Sequence, residues 1–178
     1  MSVSKNFTIR AATERDGEKI AVLARRIWAQ CYREIISQEQ IDYMLDQRFS
    51  MPGLRCELLG EAHQYWMILS AEEAVGYGVL SLPPVEQRCR IQQVYIDASV
   101  RGLGLGRRLL DIMIKEAVLK GAQKVWLSVN RNNADAIEFY RHLGFSQIGT
   151  VVTDIGKGFV MDDFRMEKSV LGADECYG

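Results

Sequence analysis

The chain has 178 residues, of which 48% are hydrophobic and 25% charged, and its formal net charge is −1. This is the length of one domain, and it suffices to bury a core that needs no crosslinks. The near-neutral charge provides no overall attraction for nucleic acid, and no apolar run approaches the length of a membrane-spanning helix. The N-terminus lacks the charged-then-apolar order of a signal peptide. We therefore expect a cytoplasmic protein that binds neither nucleic acid nor membranes.

The cysteines are spread along the chain without paired spacing, and only His63 and His142 could join them as metal ligands. Zinc sites and disulfide frameworks both need ligands or cysteines at short, regular spacings. We therefore expect reduced thiols and no metal.

In the first half of the chain, the hydrophobic pattern predicts a strand, two helices and a hairpin. Residues 7–10 alternate like a strand, and Thr13 begins a helix with one apolar stripe. Ser37 begins a second helix, which we expect to end at Pro52-Gly53, before a short helical segment over 54–59. The hairpin that follows has strands over residues 65–69 and 75–80.

The second half predicts four more strands and two helices. The elements are a strand over 89–97, a helix ending at Gly121, a strand over 125–129, a helix from Asn133 to Gly144, and strands over 147–153 and 159–168. The apolar strand 125–129 is typical of strands buried on both faces, and the helix before it implies parallel pairing with strand 89–97. We expect one domain over residues 1–170 and a C-terminal tail over 171–178.

Residues 91–121 combine a strand, a glycine loop and a long amphipathic helix. Gly102, Gly104 and Gly106 lack β-carbons at alternate positions, just where the helix begins. The first turn of a helix has unpaired backbone N–H groups and the positive end of the helix dipole, so a phosphate can bind there if the backbone is bare. The loop therefore predicts an anion site, beside Arg101 and Arg107.

The glycine spacing differs from two common phosphate-binding sequences. A dinucleotide fingerprint needs G-x-G-x-x-G with an acidic residue about twenty positions later, and a nucleotide P-loop needs G-x-x-x-x-G-K-[ST]. Neither is present in this segment. From the loop alone, a tight strand-to-helix turn that binds nothing is the alternative.

Arg101, Gly104 and Gly106 match [QR]-x-x-G-x-[GA], and the segment therefore resembles the acetyl-coenzyme A signature of the GNAT N-acetyltransferase superfamily. A second segment, V-N-R-N-N-A-D-A-I-E-F-Y-R-H-L-G-F, resembles the family pattern of Asn, Ala and Tyr on a short helix before Gly-Phe. These residues are Asn133, Ala136, Tyr140, Gly144 and Phe145. The resemblance spans residues 7–168, is nearest to small-amine or polyamine-type bacterial members, and implies a single-domain α/β GNAT fold. That fold has a mixed, mostly antiparallel sheet of about seven strands with helices on both faces.

The resemblance implies that acetyl-coenzyme A (acetyl-CoA) is the co-substrate. In the family, free backbone groups on the strand before the glycine loop bind the pantetheine arm, and the loop binds the pyrophosphate. The implied cofactor-binding residues are Val94, Tyr95, Ile96, Arg101, Gly102, Leu103, Gly104, Leu105, Gly106, Arg107, Asn133 and Ala136. Asn133 is also a good N-cap, and both roles can hold at once.

Acetyl transfer to an amine needs a base, because an alkyl ammonium group with a pKa of about 10.4 is mostly protonated at neutral pH. It also needs an acid for the leaving thiolate. Tyr140 matches the family tyrosine near the coenzyme sulfur, and we predict it as the catalytic acid; packing beside Phe139 is the alternative.

No base is assigned from the sequence. Many relatives have Glu on the strand before the glycine loop, where this chain has Gln92 and Gln93, and an amide cannot act as a base. A water relay to Glu34, Asp162 or Asp163 has no support from spacing.

The first helix provides the candidate acceptor-binding residues. Trp28 and Tyr32 lie four residues apart, in a segment that resembles relatives acting on polyamines or other small amines; core packing is an equal alternative for Trp28. On the second helix, Glu39, Asp42 and Asp46 could attract a cation, although a solvated face explains them equally well.

We therefore expect an N-acetyltransferase that moves the acetyl group of acetyl-CoA to a primary amine of a small molecule, such as a polyamine, by direct attack in a ternary complex. The alternatives are a protein N-terminal or lysine acetyltransferase, a non-catalytic coenzyme A sensor and a dinucleotide oxidoreductase. A homodimer is an alternative to a monomer.

Overall fold

A computed structural model describes residues 6–170. The predicted tail, residues 171–178, lies outside the described residues. The strands are β1 (Phe7–Ala11), β2 (His63–Ser70), β3 (Glu73–Ser81), β4 (Arg88–Ile96), β5 (Lys124–Asn130), β6 (Ser146–Gly156) and β7 (Phe159–Ser169). The α-helices are α1 (Gly17–Tyr32), α2 (Gln38–Arg48), α3 (Met51–Leu59), α4 (Leu105–Leu119) and α5 (Ala134–His142). No helix within residues 6–170 combines the length and the apolar composition needed to cross a membrane.

The seven strands form one sheet in the order β1-β2-β3-β4-β5-β7-β6. Every pair of neighbouring strands in it is antiparallel except β4 and β5, which run parallel. The predicted α/β class, with its mixed and mostly antiparallel sheet, is confirmed. Parallel pairing arises where α4 connects β4 to β5, because a crossover helix returns the chain in the same direction.

Two segments differ from the predictions. Pro52 and Gly53 do not end the second helix but lie in the first turn of a third, α3, because proline is tolerated where a helical N–H has no partner. Strand β6 also extends to Gly156, further than predicted, so that the turn to β7 consists of Lys157 and Gly158.

The side chains of the sheet divide into two cores. On one face, a cluster that includes Ile91, Leu127 and Met166 packs with α4 and α5. On the other, Met67, Tyr77 and Val79 pack with α1, α2 and α3. This second side of the sheet continues beyond the helices over β4, β5 and β7, and we call it the acceptor face there.

The prediction that strand 125–129 is buried on both faces is wrong. Val125, Leu127 and Val129 are buried, whereas Trp126 and Ser128 alternate with them and are only half-buried. The helices α1 to α3 cover β2 and β3 and leave this part of the acceptor face partly open.

Strands β4 and β5 pair over only three residues each, Arg88–Arg90 with Lys124–Trp126. Beyond these pairs, β4 continues to Ile96 and β5 to Asn130 without pairing to each other. A bulge in β4 lies at the same level, since Leu80 pairs with Ile91 and Val79 with Gln93, which leaves Gln92 without a partner on β3. The two strands therefore diverge and open a cleft.

Helix α4 lies so close to β3 that a glycine is required at Gly78, where an added β-carbon would lie 2.6 Å from Met113 Sδ and 3.1 Å from Leu109 Cδ2. We expect Gly78→Ala to lower the free energy of unfolding by about 1–3 kcal/mol, because a packed core resists added atoms. Gly149→Ala is the control, since nothing lies within 4 Å of its β-carbon position in β6. Chemical denaturation measures both, and equal stabilities would show that α4 can move away from β3.

Candidate active site

The divergence of β4 and β5 creates a cleft with a volume of about 1270 Å³. Its walls are residues 91–96 of β4, residues 127–129 of β5, and the N-terminal turns of α4 and α5. The end of α1 and the residues after it close one side. Most of the residues predicted to bind acetyl-CoA therefore line a single cavity; Leu103 is the exception, since its side chain is exposed to solvent.

The glycine loop presents a bare backbone at the mouth of this cleft. Gly102 and Gly104 have φ angles of 79° and 72°, and nothing lies within 4 Å of a β-carbon built at either position. Gly104 is the N-cap of α4, whose first turn contains no acidic residue. The positive end of the helix dipole and unpaired N–H groups therefore face open space, which fits a pyrophosphate.

Gly106 has a different role from the other two glycines. A β-carbon there would lie 3.2 Å from Phe139 Cζ, so its missing side chain allows α5 to pack against the start of α4. Phe139 in turn contacts Tyr140, with ring centroids 5.2 Å apart. The glycine loop and the second predicted motif are thus in direct contact.

Two polar side chains fix the segment before the glycine loop. Asp97 caps the short turn that follows β4, accepting hydrogen bonds from the Ser99 backbone N–H at 2.9 Å and hydroxyl at 2.7 Å, and lies 2.6 Å from Arg26 Nε. Burial raises the pKa of Asp97, but these partners outweigh it and the net pKa is lowered. Arg101 donates from Nε to the Ile96 carbonyl at 3.0 Å. Asp97 is therefore held as an ionised capping group.

The second motif forms α5 and its N-terminus. Asn133 Oδ1 accepts a hydrogen bond from the Ala136 backbone N–H at 3.2 Å, so that Asn133 caps the helix while also lining the cleft. Tyr140 is 8% exposed, lines the cleft and packs between Phe139 and Phe145. Burial, and secondarily the proximity of Tyr32, raises the pKa of Tyr140 well above that of a free phenol. Its hydroxyl is therefore protonated at neutral pH.

An aromatic group separates the cleft from the core under α1. Trp28 is 3% exposed, and its indole N–H donates to the Tyr77 hydroxyl at 3.2 Å, so the structure places Trp28 in the core and outside the cleft lining. Tyr32, one turn later, lines the cleft, and its hydroxyl lies 2.8 Å from that of Tyr95. Burial raises the pKa of Tyr32 to about 12. Of the two predicted acceptor residues, Tyr32 alone is on the cavity wall.

The two glutamines on β4 occupy different environments. The Gln92 amide donates to Ser81 Oγ at 2.8 Å. Gln93 is 5% exposed and lines the cleft, and its Oε1 has no hydrogen-bond partner among the described residues. Neither can take a proton, but the free oxygen of Gln93 can accept a hydrogen bond from an amine.

The spacing of residues in the sequence could not predict where the carboxylate of Asp163 lies. Asp163 pairs with Asn130 in the β5–β7 register, and one of its oxygens is buried without a hydrogen-bond partner among residues 6–170. Burial raises the pKa of Asp163, the Arg90 charge opposes this, and Asp162 adds to it. In contrast, Asp162 forms an ion pair with Arg131 at 2.7 Å, and Glu34 is an exposed residue at the cleft edge.

Helix α2 is tied to the turn of the β6–β7 hairpin. Tyr43 donates from its hydroxyl to the Ile155 carbonyl at 2.8 Å, and Gln40 Nε2 donates to the Val160 carbonyl at 3.0 Å. The Tyr43 ring also contacts that of Phe159, with centroids 5.6 Å apart. We call this connection the roof, since it joins a helix on the acceptor face to the far edge of the sheet.

The sequence matches the family model described as Acetyltransferase (GNAT) family over residues 22–145. The chain belongs to the GNAT family of acetyltransferases. It is 27% identical over 154 residues to the peptidyl-lysine N-acetyltransferase YjaB of Salmonella typhimurium, covering 86% of this chain and 93% of that protein. It is 31% identical over 106 residues to the uncharacterised N-acetyltransferase YjgM of Escherichia coli, covering 58% of each chain.

The fold also matches solved GNAT structures. The PaiA N-acetyltransferase of Thermoplasma acidophilum, solved in complex with coenzyme A, superposes with a TM-score of 0.81 at 23% identity, covering 92% of this chain and 99% of that one. Because the chain matches the GNAT family model, this protein is an acyltransferase with acetyl-CoA as its co-substrate. The bare glycine loop and the open cleft edge of β4 fit that molecule.

We expect Gly104→Glu to abolish coenzyme A binding, because a side chain and a negative charge then occupy the pyrophosphate position. Gly121→Glu is the matched control: Gly121 has a φ of 90° and nothing within 4 Å, but it lies beyond the other end of α4. Both variants bear a similar strain from positive φ. Thermal-shift titration should show stabilisation by coenzyme A in the parent and in Gly121→Glu only. Equal stabilisation of Gly104→Glu would place the phosphates elsewhere.

Proposed function

We propose that the protein transfers the acetyl group of acetyl-CoA to a primary amine of a small molecule, by direct attack while both substrates are bound. The observation that carries this proposal is the roof. Because Gln40 and Tyr43 join α2 to the β6–β7 hairpin, the acceptor face is bridged where an extended peptide would otherwise lie. A bridged pocket favours a short acceptor.

The acidic residues of α2 give no support to a polyamine as that acceptor. Asp46 forms an ion pair with Arg25 at 3.0 Å, and Asp42 accepts a hydrogen bond from Gln38 at 2.9 Å. Glu39, Asp42 and Asp46 are all exposed. Since exposed and locally paired carboxylates are typical of a solvated helix face, the proposal covers small amines in general.

In the proposed reaction, the unpaired edge of β4 at Val94, Tyr95 and Ile96 binds the pantetheine arm and orients the thioester. Backbone N–H groups of this edge, fixed by the sheet, stabilise negative charge on the carbonyl oxygen without reorganising. Tyr140 donates its proton to the leaving sulfur. A phenol suits this step because burial keeps it protonated until the thiolate leaves.

For the base, we propose Asp163. Asp163 pairs with Asn130, which lies four residues beyond the last residue of β5 that pairs with β4. On the other side of the cleft, Val94 likewise lies four residues beyond the last residue of β4 that pairs with β5. The buried, unpartnered oxygen of Asp163 can accept a proton, and its raised pKa makes it a stronger base than an exposed carboxylate. The charge of Asp163 also contributes to the raised pKa of Tyr32, which lines the cleft.

A protein lysine acetyltransferase is the second candidate. It is favoured by the relative named as a peptidyl-lysine N-acetyltransferase, which aligns over 86% of this chain. Release of free thiol from acetyl-CoA, measured with a panel of small primary amines and with lysine-containing peptides, decides between the two. Faster turnover of peptides would overturn the small-molecule proposal, and no release with any amine would favour a coenzyme A sensor.

We expect Tyr140→Phe to lower kcat by about ten- to a thousandfold and to leave the KM for acetyl-CoA nearly unchanged, since the ring stays and only the proton donor is lost. Tyr65→Phe is a control, because Tyr65 is also buried but its hydroxyl bonds to Glu57 outside the cleft. Steady-state kinetics at saturating substrates would measure both. An unchanged kcat, with chemistry shown to be rate limiting, would remove Tyr140 from the mechanism.

The pH dependence of kcat/KM tests Asp163. The base must be ionised, so activity should rise with pH through the raised pKa of Asp163, at the same position for two amines that differ by at least two pKa units. In Asp163→Asn, the rise of kcat/KM with pH should move to higher pH and follow the pKa of each amine. Asp111→Asn is the control, since Asp111 is exposed on α4 and does not line the cleft. If the parent already follows the amine pKa and Asp163→Asn matches it, solvent is the base.

A further inference from the structure

Three arginines on the acceptor face lie over one tryptophan, Trp126 on β5. Arg88 and Arg90 on β4 and Arg165 on β7 have guanidinium carbons 5.9, 5.0 and 5.4 Å from the ring centroid. A further arginine, Arg48 at the end of α2, donates to Oε1 of Gln92 on β4 at 3.5 Å. We call Arg48, Arg90 and Arg165 the arginine cluster. It draws on three separate elements of the fold.

The positive charge of the arginine cluster is not neutralised. Among residues 6–170, no carboxylate lies within ion-pair distance of any of the three, whereas the neighbouring Arg88 is paired with Glu167. Arg90 Nε is also buried without a hydrogen-bond partner in that range. Burial lowers the pKa of Arg90, and the charges of Arg48 and Arg165 lower it further, against the opposing charge of Asp163. For Arg90, whose charge is partly buried and unpaired, this arrangement is costly, and a bound anion would offset that cost.

A cavity of about 220 Å³ lies beside the cluster, between the β3–β4 loop and β5. Arg90, Arg165 and Trp126 form part of its wall, and the carboxylate of Glu86 is at its exposed side. A single exposed carboxylate does not neutralise the guanidinium groups. The volume is enough for one end of a small ligand, since a water molecule occupies about 30 Å³ in the liquid.

The strand register relates this cavity to the proposed reaction centre. On β7, Asp163 and Arg165 are two residues apart and on the same face, which separates their Cα atoms by about 7 Å. On β4, Arg90 precedes Val94 by four residues along the same strand. An extended acceptor whose amine lies at Asp163 therefore reaches the arginine cluster with its other end.

We propose that the arginine cluster binds an anionic group of the acceptor, so that the acceptor is a small molecule with a primary amine at one end and a carboxylate or phosphate at the other. This rests on the proposed function and narrows it from amines in general to acidic amines. Guanidinium groups form charge-assisted hydrogen bonds with both anions, and Trp126 holds two of them in place by stacking.

The test compares acceptors that differ only in the anion. We expect kcat/KM of the parent for δ-aminovalerate to exceed that for pentylamine by at least about tenfold, since one charge-assisted contact has that effect. Aminobutyl phosphate, as a third acceptor, distinguishes phosphate from carboxylate. Arg165→Gln should remove the preference by slowing the acidic acceptors far more than pentylamine. Arg165 is exposed, so its variant does not disturb the core.

Arg15→Gln is the matched control, since Arg15 is exposed and follows β1, four strands away from β5 in the sheet. It should keep the preference. A parent that acetylates pentylamine as well as δ-aminovalerate would overturn the proposal, as would an equal loss with both acceptors in Arg165→Gln.

Calorimetric titration of the coenzyme A complex with δ-aminovalerate separates this proposal from the proposed function. Binding that is lost in Arg165→Gln, without acetylation of any amine, would support the anion site while contradicting the acetyl transfer. Acetylation of amines at a rate that does not depend on an acidic group in the acceptor would support the acetyl transfer while contradicting the anion site.

Discussion

The constraint on which the structure depends is the short parallel pairing of β4 and β5, which ends at Arg90 and Trp126. Backbone N–H and C=O groups normally require partners, and an unpaired strand edge is a template for another extended molecule. By ending the pairing early, the fold leaves such an edge inside the protein at Val94 to Ile96. A ligand with amide groups can lie along it as an additional strand would. The cleft is thus a gap in the hydrogen bonding of the sheet that a bound substrate can fill.

The same gap between β4 and β5 connects the two faces of the sheet. On one side, α4 and α5 present the bare glycine loop, Asn133 and Tyr140. On the other, the acceptor face presents Asp163 and the arginine cluster beside the half-buried Trp126. Because the strands diverge, an amine on the acceptor face can reach a thioester held on the opposite side without passing through a packed layer. On the first side, α4 also packs closely on β3 at Gly78 as part of the core.

Much of the fold and of the cofactor side could be predicted because the relevant residues are close in sequence. The glycine loop and the Asn133 to Phe145 segment are each continuous, and a helix beginning at a bare backbone has physical consequences that no distant contact changes. The boundary at Pro52 could not be predicted, because a proline ends one helix and begins another with the same local preference. The alternation of Trp126 and Ser128 within the strand 125–129 was the available signal that one face is open.

The acceptor side could not be predicted in this way, because its residues meet through register. Asp163 joins Asn130, and Arg90 joins Trp126 and Arg165, only when β4, β5 and β7 are aligned, and no spacing in the chain contains that alignment. For the same reason, Trp28 and Tyr32 share a helical stripe but differ in environment: the indole N–H reaches Tyr77 in the core, whereas the Tyr32 hydroxyl reaches Tyr95 on β4 and faces the cleft.

The charges on the acceptor face also limit what can bind there. A polycation would place its second ammonium group against Arg48, Arg90 and Arg165. Among residues 6–170, no carboxylate lies within ion-pair distance of these arginines to screen the repulsion. Like charges in a partly buried site repel strongly, since low local dielectric strengthens every interaction between them. A molecule with opposite charges at its two ends meets complementary groups at both, a carboxylate near the cleft and guanidinium groups further along the same strands. In the proposed complex, the alignment of three strands sets not only where the acceptor lies but also which end of it faces the thioester.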